Sequence, residues 1–336
     1  MNLFYFVIGA VLLVLAIVDL VWTTLWVDGG AGPISSRLSS LLWRWLRRMD
    51  GRRSRTLSLA GPLIISANLL LWVLLIWAGW TFFFAGDAAS IYPTGSAGAG
   101  TWSSRIWYVA YTMFTVGNGD FMPRDGPWQI VSSLTAASGM LFITMGVSYV
   151  ISILGSISTK RAFAGSVIGL GRRGEELVEA GWDGESFRSL ELPLSSLTSQ
   201  LSLLTEQHLS YPILHYYHSE SQADAAAVAV ASLDEALTLI QCGVSGEVRL
   251  DSAIMKSARS SIGAYLGTLN SAFIEPSDHA PPPPDLGRLH AAGIPTVSGE
   301  AFAAALADLD ERRRKLLGMI EADAWEWPPV ERPSQR

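Results

Sequence analysis

Three stretches of this chain, about Leu3 to Trp26, Gly61 to Ala85 and Trp128 to Gly155, are continuously apolar. Each exceeds the ~20 residues that a helix needs to cross ~30 Å of hydrocarbon. In lipid every backbone amide must be satisfied within the segment, so three spanning helices are expected. The first stretch has no Lys or Arg ahead of it, is too long for the apolar core of a signal peptide and is followed by no A-x-A site. It is expected to stay as a helix.

Charge divides the chain near residue 156. Residues 1–156 contain no glutamate and no lysine, hold 10 of the 13 tryptophans and carry a net charge of +3, whereas the remainder carries −9. An acidic tail lacks the basic patch of a nucleic-acid binder. The single cysteine, Cys242, excludes an internal disulfide. Seven arginines between Val27 and Ala60, Arg37 to Arg55, face only Asp28 and Asp50. Arginine-rich short loops stay cytoplasmic, which places the N-terminus outside and the tail from Lys160 inside the cell (inner) membrane.

Between the second and third stretches, Asp87 to Gly100 is rich in small residues, and Trp102 to Phe114 is aromatic and too short to cross. That suits a re-entrant half-helix with its negative dipole end aimed at the residues just beyond it. Those residues are TVGNGD, Thr115 to Asp120. Gly117 and Gly119 permit the alternating backbone hands that would turn successive carbonyls toward one axis. The pattern Thr112, Thr115, Val116, Gly117, Asn118, Gly119, Asp120 resembles the T-x-x-T-V-G-Y-G-D filter of potassium channels, with asparagine for tyrosine.

The resemblance covers about residues 60–156 and implies a homotetramer, since one loop per chain cannot surround an ion. It implies ion binding at Thr115, Val116, Gly117, Asn118 and Gly119, an outer mouth at Asp120, and support from Trp107, Tyr108, Tyr111 and Thr112. Tyr111 or Trp107 is expected to donate to Asp120. Gly139 stands at the place of the family's hinge, with packing as its alternative. Phe142, Met145, Tyr149 and Ile153 are the expected inner pore wall. Potassium is the expected permeant ion, with a nonselective sodium and potassium conductor and a non-conducting membrane-anchored sensor or scaffold as alternatives. No cofactor, no metal beyond permeant cations and no enzymatic site is expected, and membrane lipids and sister subunits are the expected partners.

The fold class is therefore all-α: an extra N-terminal span (1–26), an interfacial amphipathic helix (33–49), the pore domain (60–156) and an all-α cytosolic domain (160–336). Amphipathic stretches in the tail run at about 190–209, 222–242, 252–274 and 299–324, with a proline-rich linker near 276–288. Asp19, an acid inside the first span, needs a partner, and Asn68 lies at similar depth in the second; snorkelling or pairing with Arg37 is the other reading. Gly169, Gly171 and Gly174 form a G-x-G-x-x-G without a convincing preceding strand, which favours a flexible basic linker over a dinucleotide site. His208, His215 and His218 read as aromatic core packing, with metal binding and pH sensing as lesser alternatives.

Overall fold

The computed structural model describes residues 1–27, 30–48, 57–95, 98, 100–117, 119–246, 250–269 and 274–328, and the backbone alone at 49–50 and 270–272. The chain divides into two compact units, Met1–Leu42 with Pro62–Ile153, and Trp43–Gly61 with Leu154–Arg336.

The first unit is built on α1 (Leu3–Leu25), the start of α2 (Pro33–Asp50), α3 (Ala60–Ala85), the short α4 (Trp102–Met113) and the first part of α5 (Pro127–Ile168). The Asn2 side chain accepts from Phe4 N and starts α1. Gly9, Leu13, Ala16, Leu20 and Thr23 form the buried stripe of that helix, while Val7, Val11, Val14 and Val18 stay exposed. Glycine lets α1 and α3 meet closely, because a Cβ on Gly9 would lie 2.6 Å from Phe83 N and one on Gly79 would lie 2.8 Å from Leu13 Cγ. Two strands, β1 (Ile91–Pro93) and β2 (Phe121–Pro123), pair antiparallel with Tyr92 opposite Met122. The all-α expectation holds apart from this small ribbon and one bridge, Val244 to Thr296.

Asp19 finds a different partner from the one expected. Its carboxylate accepts from Ile34 N (2.7 Å), Ser35 N, Ser35 Oγ and Trp72 Nε1 (2.8 Å). It thus caps the N-terminus of α2, where Pro33 sits in the first turn and needs no acceptor for its missing N–H. Asn68 donates instead to Ser39 Oγ at 3.0 Å. The reason is geometric: the chain folds back after α1 and presents three donors to the carboxylate, and Trp72 of α3 adds a fourth.

The second unit packs α6 (Gly174–Gly181), α7 (Glu191–Ser210), α8 (Ala226–Thr238), α9 (Ser252–Ala272), α10 (Leu286–Ala291), α11 (Gly299–Ala307) and α12 (Asp310–Ala322). The helix expected over 299–324 is two helices, α11 and α12. Ala226–Gly243, which continues α8 through a π turn at Leu239–Gly243, is a fourth helix apolar enough to cross a membrane. Ala226–Thr238 is buried at every residue within its own unit, which is where a helix apolar all round belongs in a folded domain. Its Asp234 is held by Arg259 (2.8 Å) and Arg312 (2.6 Å). Helix α5 does not end near Gly155 but runs unbroken to Ile168.

Candidate functional site

Helix α4 is fixed at both ends and along its side. Thr101 caps it through Ser104 N, Trp77 of α3 donates to Ile106 O at 3.0 Å, and the buried Arg105 donates to Ala88 O. Tyr108 packs edge-on against Phe84 at 5.2 Å and hydrogen-bonds Ser132 of α5. Gly139 of α5 lies so close to the end of α4 that a Cβ there would sit 1.9 Å from Met113 O. The helix runs through Gly139 without a break in its assignment.

The chain leaving α4 turns its amides back on it. Thr115 N donates to Thr112 O (3.1 Å), Val116 N to Tyr111 O (2.8 Å) and Gly117 N to the same oxygen (3.5 Å). No cis peptide is present among the described residues. In a trans peptide the N–H and the preceding C=O point oppositely, so the Thr115 and Val116 carbonyls are turned away from α4. Positive φ recurs at every second residue: Thr115 (56°), Gly117 (62°) and Gly119 (78°). Glycine takes this region freely, but for β-branched Thr115 it costs on the order of 1–3 kcal/mol. Asn118 lies outside the described residues.

The far end of this segment is tied to the ribbon. Thr94, just after β1, donates its Oγ1 to Gly119 O (2.5 Å) and its amide to Asp120 O (3.0 Å). Tyr111 donates to Phe121 O at 2.8 Å, one residue past the Asp120 carboxylate expected as its acceptor. Trp107 is over half exposed. Thr94 was not foreseen as a site residue; three-residue strands in a small-residue loop leave no periodicity to find it by.

Phe142, Tyr149 and Ile153 are covered within the chain, 9%, 5% and 0% exposed, and Tyr149 meets Trp72 at 6.3 Å. Met145 is partly buried. Phe142, Tyr149 and Ile153 are thus covered by the chain itself and lie away from the exposed face of α5. Met140, Val147 and Ile151 are exposed, as is Thr144 between them.

In the second unit, the buried His208 and the partly buried His215 lie beside Lys160, Tyr265 and Asp323 around a cavity of about 20 Å³. Burial pushes His208 down to about 3 and His215 to about 4, with the Lys160 charge acting in the same direction. His218 stacks on Trp325 at 4.7 Å and bonds Asp323. No group of His, Cys, Asp or Glu among the described residues is arranged to hold a metal ion. Glu235 of α8 is pushed up to about 8 by burial and by Glu175, which outweigh Arg313 at 3.6 Å. The Gly169–Gly174 segment follows a helix and not a strand, and its backbone is fixed: Gly171 N donates to Val167 O and Arg172 N to Glu176 Oε2. It is a tight turn and not the flexible linker expected.

A short helix ending on a glycine-alternating segment, set between two apolar helices, defines the pore domain of an ion channel. Residues 70–156 match the family described as "Ion channel". The chain is 42% identical over 331 residues to the uncharacterized membrane protein YdjJ of Bacillus subtilis (strain 168), covering 98% of this chain and 97% of that protein. It belongs to the family of that membrane protein, and its residues 70–156 match a pore domain of the two-transmembrane, potassium-channel type. No solved structure matches the chain.

Proposed function

We propose that the chain is one subunit of a homotetrameric cation channel that conducts potassium through Thr115 to Asp120. The observation that carries this reading is the outward turn of the Thr115 and Val116 carbonyls, produced by amides bonded back to Tyr111 O. Four such segments around an axis would stack rings of oxygens that replace an ion's water shell, and Asp120 would concentrate cations at the mouth. Thr94 would hold the outer end, and its bond to Gly119 O takes that carbonyl out of the ion path. The exposed face Met140, Thr144, Val147 and Ile151 would line the inner pore. Gly139 would act chiefly by packing on α4, with bending as a second role. The arginine-rich connection before α3 supports a cytoplasmic tail and an outward-facing filter.

A nonselective sodium and potassium pore is the second reading, and Asn118 favours it, because asparagine fills less space than the tyrosine at that place in the resembled filter. Single-channel recording from purified protein in planar bilayers decides between them. Potassium selectivity shows as a reversal potential near the potassium equilibrium under potassium and sodium gradients, and Gly117→Ala should abolish current. Absence of current in the wild type would leave the non-conducting sensor or scaffold.

A further inference from the structure

The proline run at 281–284 lies in the segment that joins α9 to α10 in the second unit. Proline has no N–H, so such a run is held by its carbonyls, its rings and the residues at its ends. Ahead of it, Ser277 N donates to Arg314 O at 3.0 Å and Ser277 O accepts from Arg314 Nε at 2.7 Å. Within it, Pro282 O accepts from Arg313 Nη2 of α12 at 2.6 Å. Just after it, Asp285 N donates to Glu175 Oε1 of α6 at 2.8 Å. Pro281 and Pro284 are buried.

The Arg313 and Glu175 anchors both lie beside one carboxyl group, that of Glu235 in α8. Glu235 is 8% exposed, and its Oε1 accepts no hydrogen bond among the described residues. Arg313 Nη2 stands 3.6 Å from that oxygen, too far for a hydrogen bond. The start of α6 packs on the same side chain, since a Cβ on Gly174 would lie 3.0 Å from Glu235 Cβ. That contact brings the next residue, Glu175, near enough for its charge to oppose ionisation of Glu235. The other charges around the group are engaged elsewhere. Asp234, its neighbour on α8, is held by Arg259 of α9 and Arg312 of α12. Glu176 and Glu179 of α6 pair with Arg288 of α10, and Asp310 of α12 supports the charge of Arg313.

We infer that Glu235 is a proton-operated latch for the segment 277–285. With its carboxyl neutral, Arg313 is left to Pro282 O and Glu175 to Asp285 N. Loss of the proton to solvent sets a negative charge beside both anchors. Arg313 is drawn off the Pro282 carbonyl and Glu175 is repelled, so the two anchors weaken together. The Ser277 pair with Arg314 keeps the near end attached while the proline run loosens. Burial and the Glu175 charge push Glu235 up to about 8, so the latch is closed below that pH and opens above it.

Hydrogen exchange of the full chain in detergent tests this, whether or not the pore conducts. The peptide 281–286 has only two backbone amides, those of Asp285 and Leu286, and so reads one anchor directly. After correction for the base catalysis of exchange itself, its protection should fall about tenfold from about pH 7 to about pH 9, with α8 still protected. Glu235→Gln keeps the shape without the charge, and its protection should stay level over that range. Glu175→Gln leaves an acceptor for Asp285 N but removes the repulsion, and should show a smaller fall; it serves if Glu235→Gln fails to fold. Level protection in the wild type, an undiminished fall in either variant, or parallel loss throughout α8 would overturn the inference.

Discussion

Gly139→Ala places a methyl group where 1.9 Å separates it from the Met113 carbonyl oxygen. A carbon and a carbonyl oxygen rest no closer than about 3.3 Å, so one of the two helices must move by roughly 1.4 Å. The end of α4 is the part that cannot move without consequence, since Tyr111 O and Thr112 O hold the amides of Thr115, Val116 and Gly117. Overpacking of this kind costs about 1–3 kcal/mol. Two measurements are expected to change together: a lower thermal midpoint of the purified protein in detergent, and a potassium-to-sodium permeability ratio reduced several-fold in bilayers. Gly139→Ser should behave alike or worse. A hinge role predicts something else, altered open probability with stability and permeability ratio intact. If Gly139→Ala gives that pattern, or no change at all, the packing argument is wrong.

Asp19→Ala leaves Ile34 N, Ser35 N, Ser35 Oγ and Trp72 Nε1 without their acceptor. At ~1–3 kcal/mol per buried unpaired donor, a loss of about 4 kcal/mol or more is expected in denaturation of the full chain. Asp19→Asn should recover part of it, and a loss under about 1 kcal/mol would contradict the cap. Thr94→Val removes the Oγ1 bond to Gly119 O but keeps the amide bond to Asp120 O. Loss of about 1 kcal/mol of restraint should appear as less stable conduction at constant voltage, with Thr94→Ser restoring the wild-type record. Glu235 has its folded-state pKa raised from the ordinary 4.5 to about 8. Its stabilising contribution is complete below pH 4.5 and is lost as pH rises through 8, at up to ~1.4 kcal/mol per pH unit. Glu235→Gln should therefore flatten a stability-against-pH curve between pH 4.5 and about 8, measured by thermal denaturation. His208 and His215 run the other way, lowered from 6.5 to about 3 and about 4. Their contribution is whole above pH 6.5 and falls as pH drops, jointly by up to ~2.7 kcal/mol per unit; His208→Gln with His215→Gln should remove that acid slope.

Local chemistry made part of this fold legible in the sequence. Apolar length predicted α1, α3 and the membrane part of α5, and the aromatic run too short to cross predicted α4. Positive φ at Gly117 and Gly119 follows from glycine's lack of a Cβ. Which face or which partner a residue takes was not legible. On a helix that is apolar all round, lipid, a neighbouring chain and the chain's own core look the same, so the pattern does not show that Phe142, Tyr149 and Ile153 are covered by the chain itself. Depth along a helix placed Asp19 level with Asn68 but said nothing of the chain's return, which brings the α2 amides to it. The Thr94 contact joins residues far apart in sequence through strands too short to show alternation. In the tail, the helix expected over 299–324 breaks between α11 and α12, where apolar periodicity alone gave no stop.

Glycine does two different jobs around the candidate pore, and they depend on each other. Gly117 and Gly119 take backbone hands that leave a segment with little packing of its own; no atom lies within 4 Å of a Cβ at either. Gly9, Gly79 and Gly139 instead let helices and the end of α4 come into backbone contact. A segment that also carries a left-handed threonine at position 115 does not hold its shape by itself. It is held because its amides bond to a helix end, and that helix is pinned by Trp77 on one side, by Ser132 and Gly139 on another, and by the Tyr111 bond to Phe121 O beyond the segment. The order of dependence runs from close-packed glycines, to an immobile α4, to a strained segment whose carbonyls point one way. Substitutions at the packing glycines should therefore disturb permeation even though none of them touches the ion path.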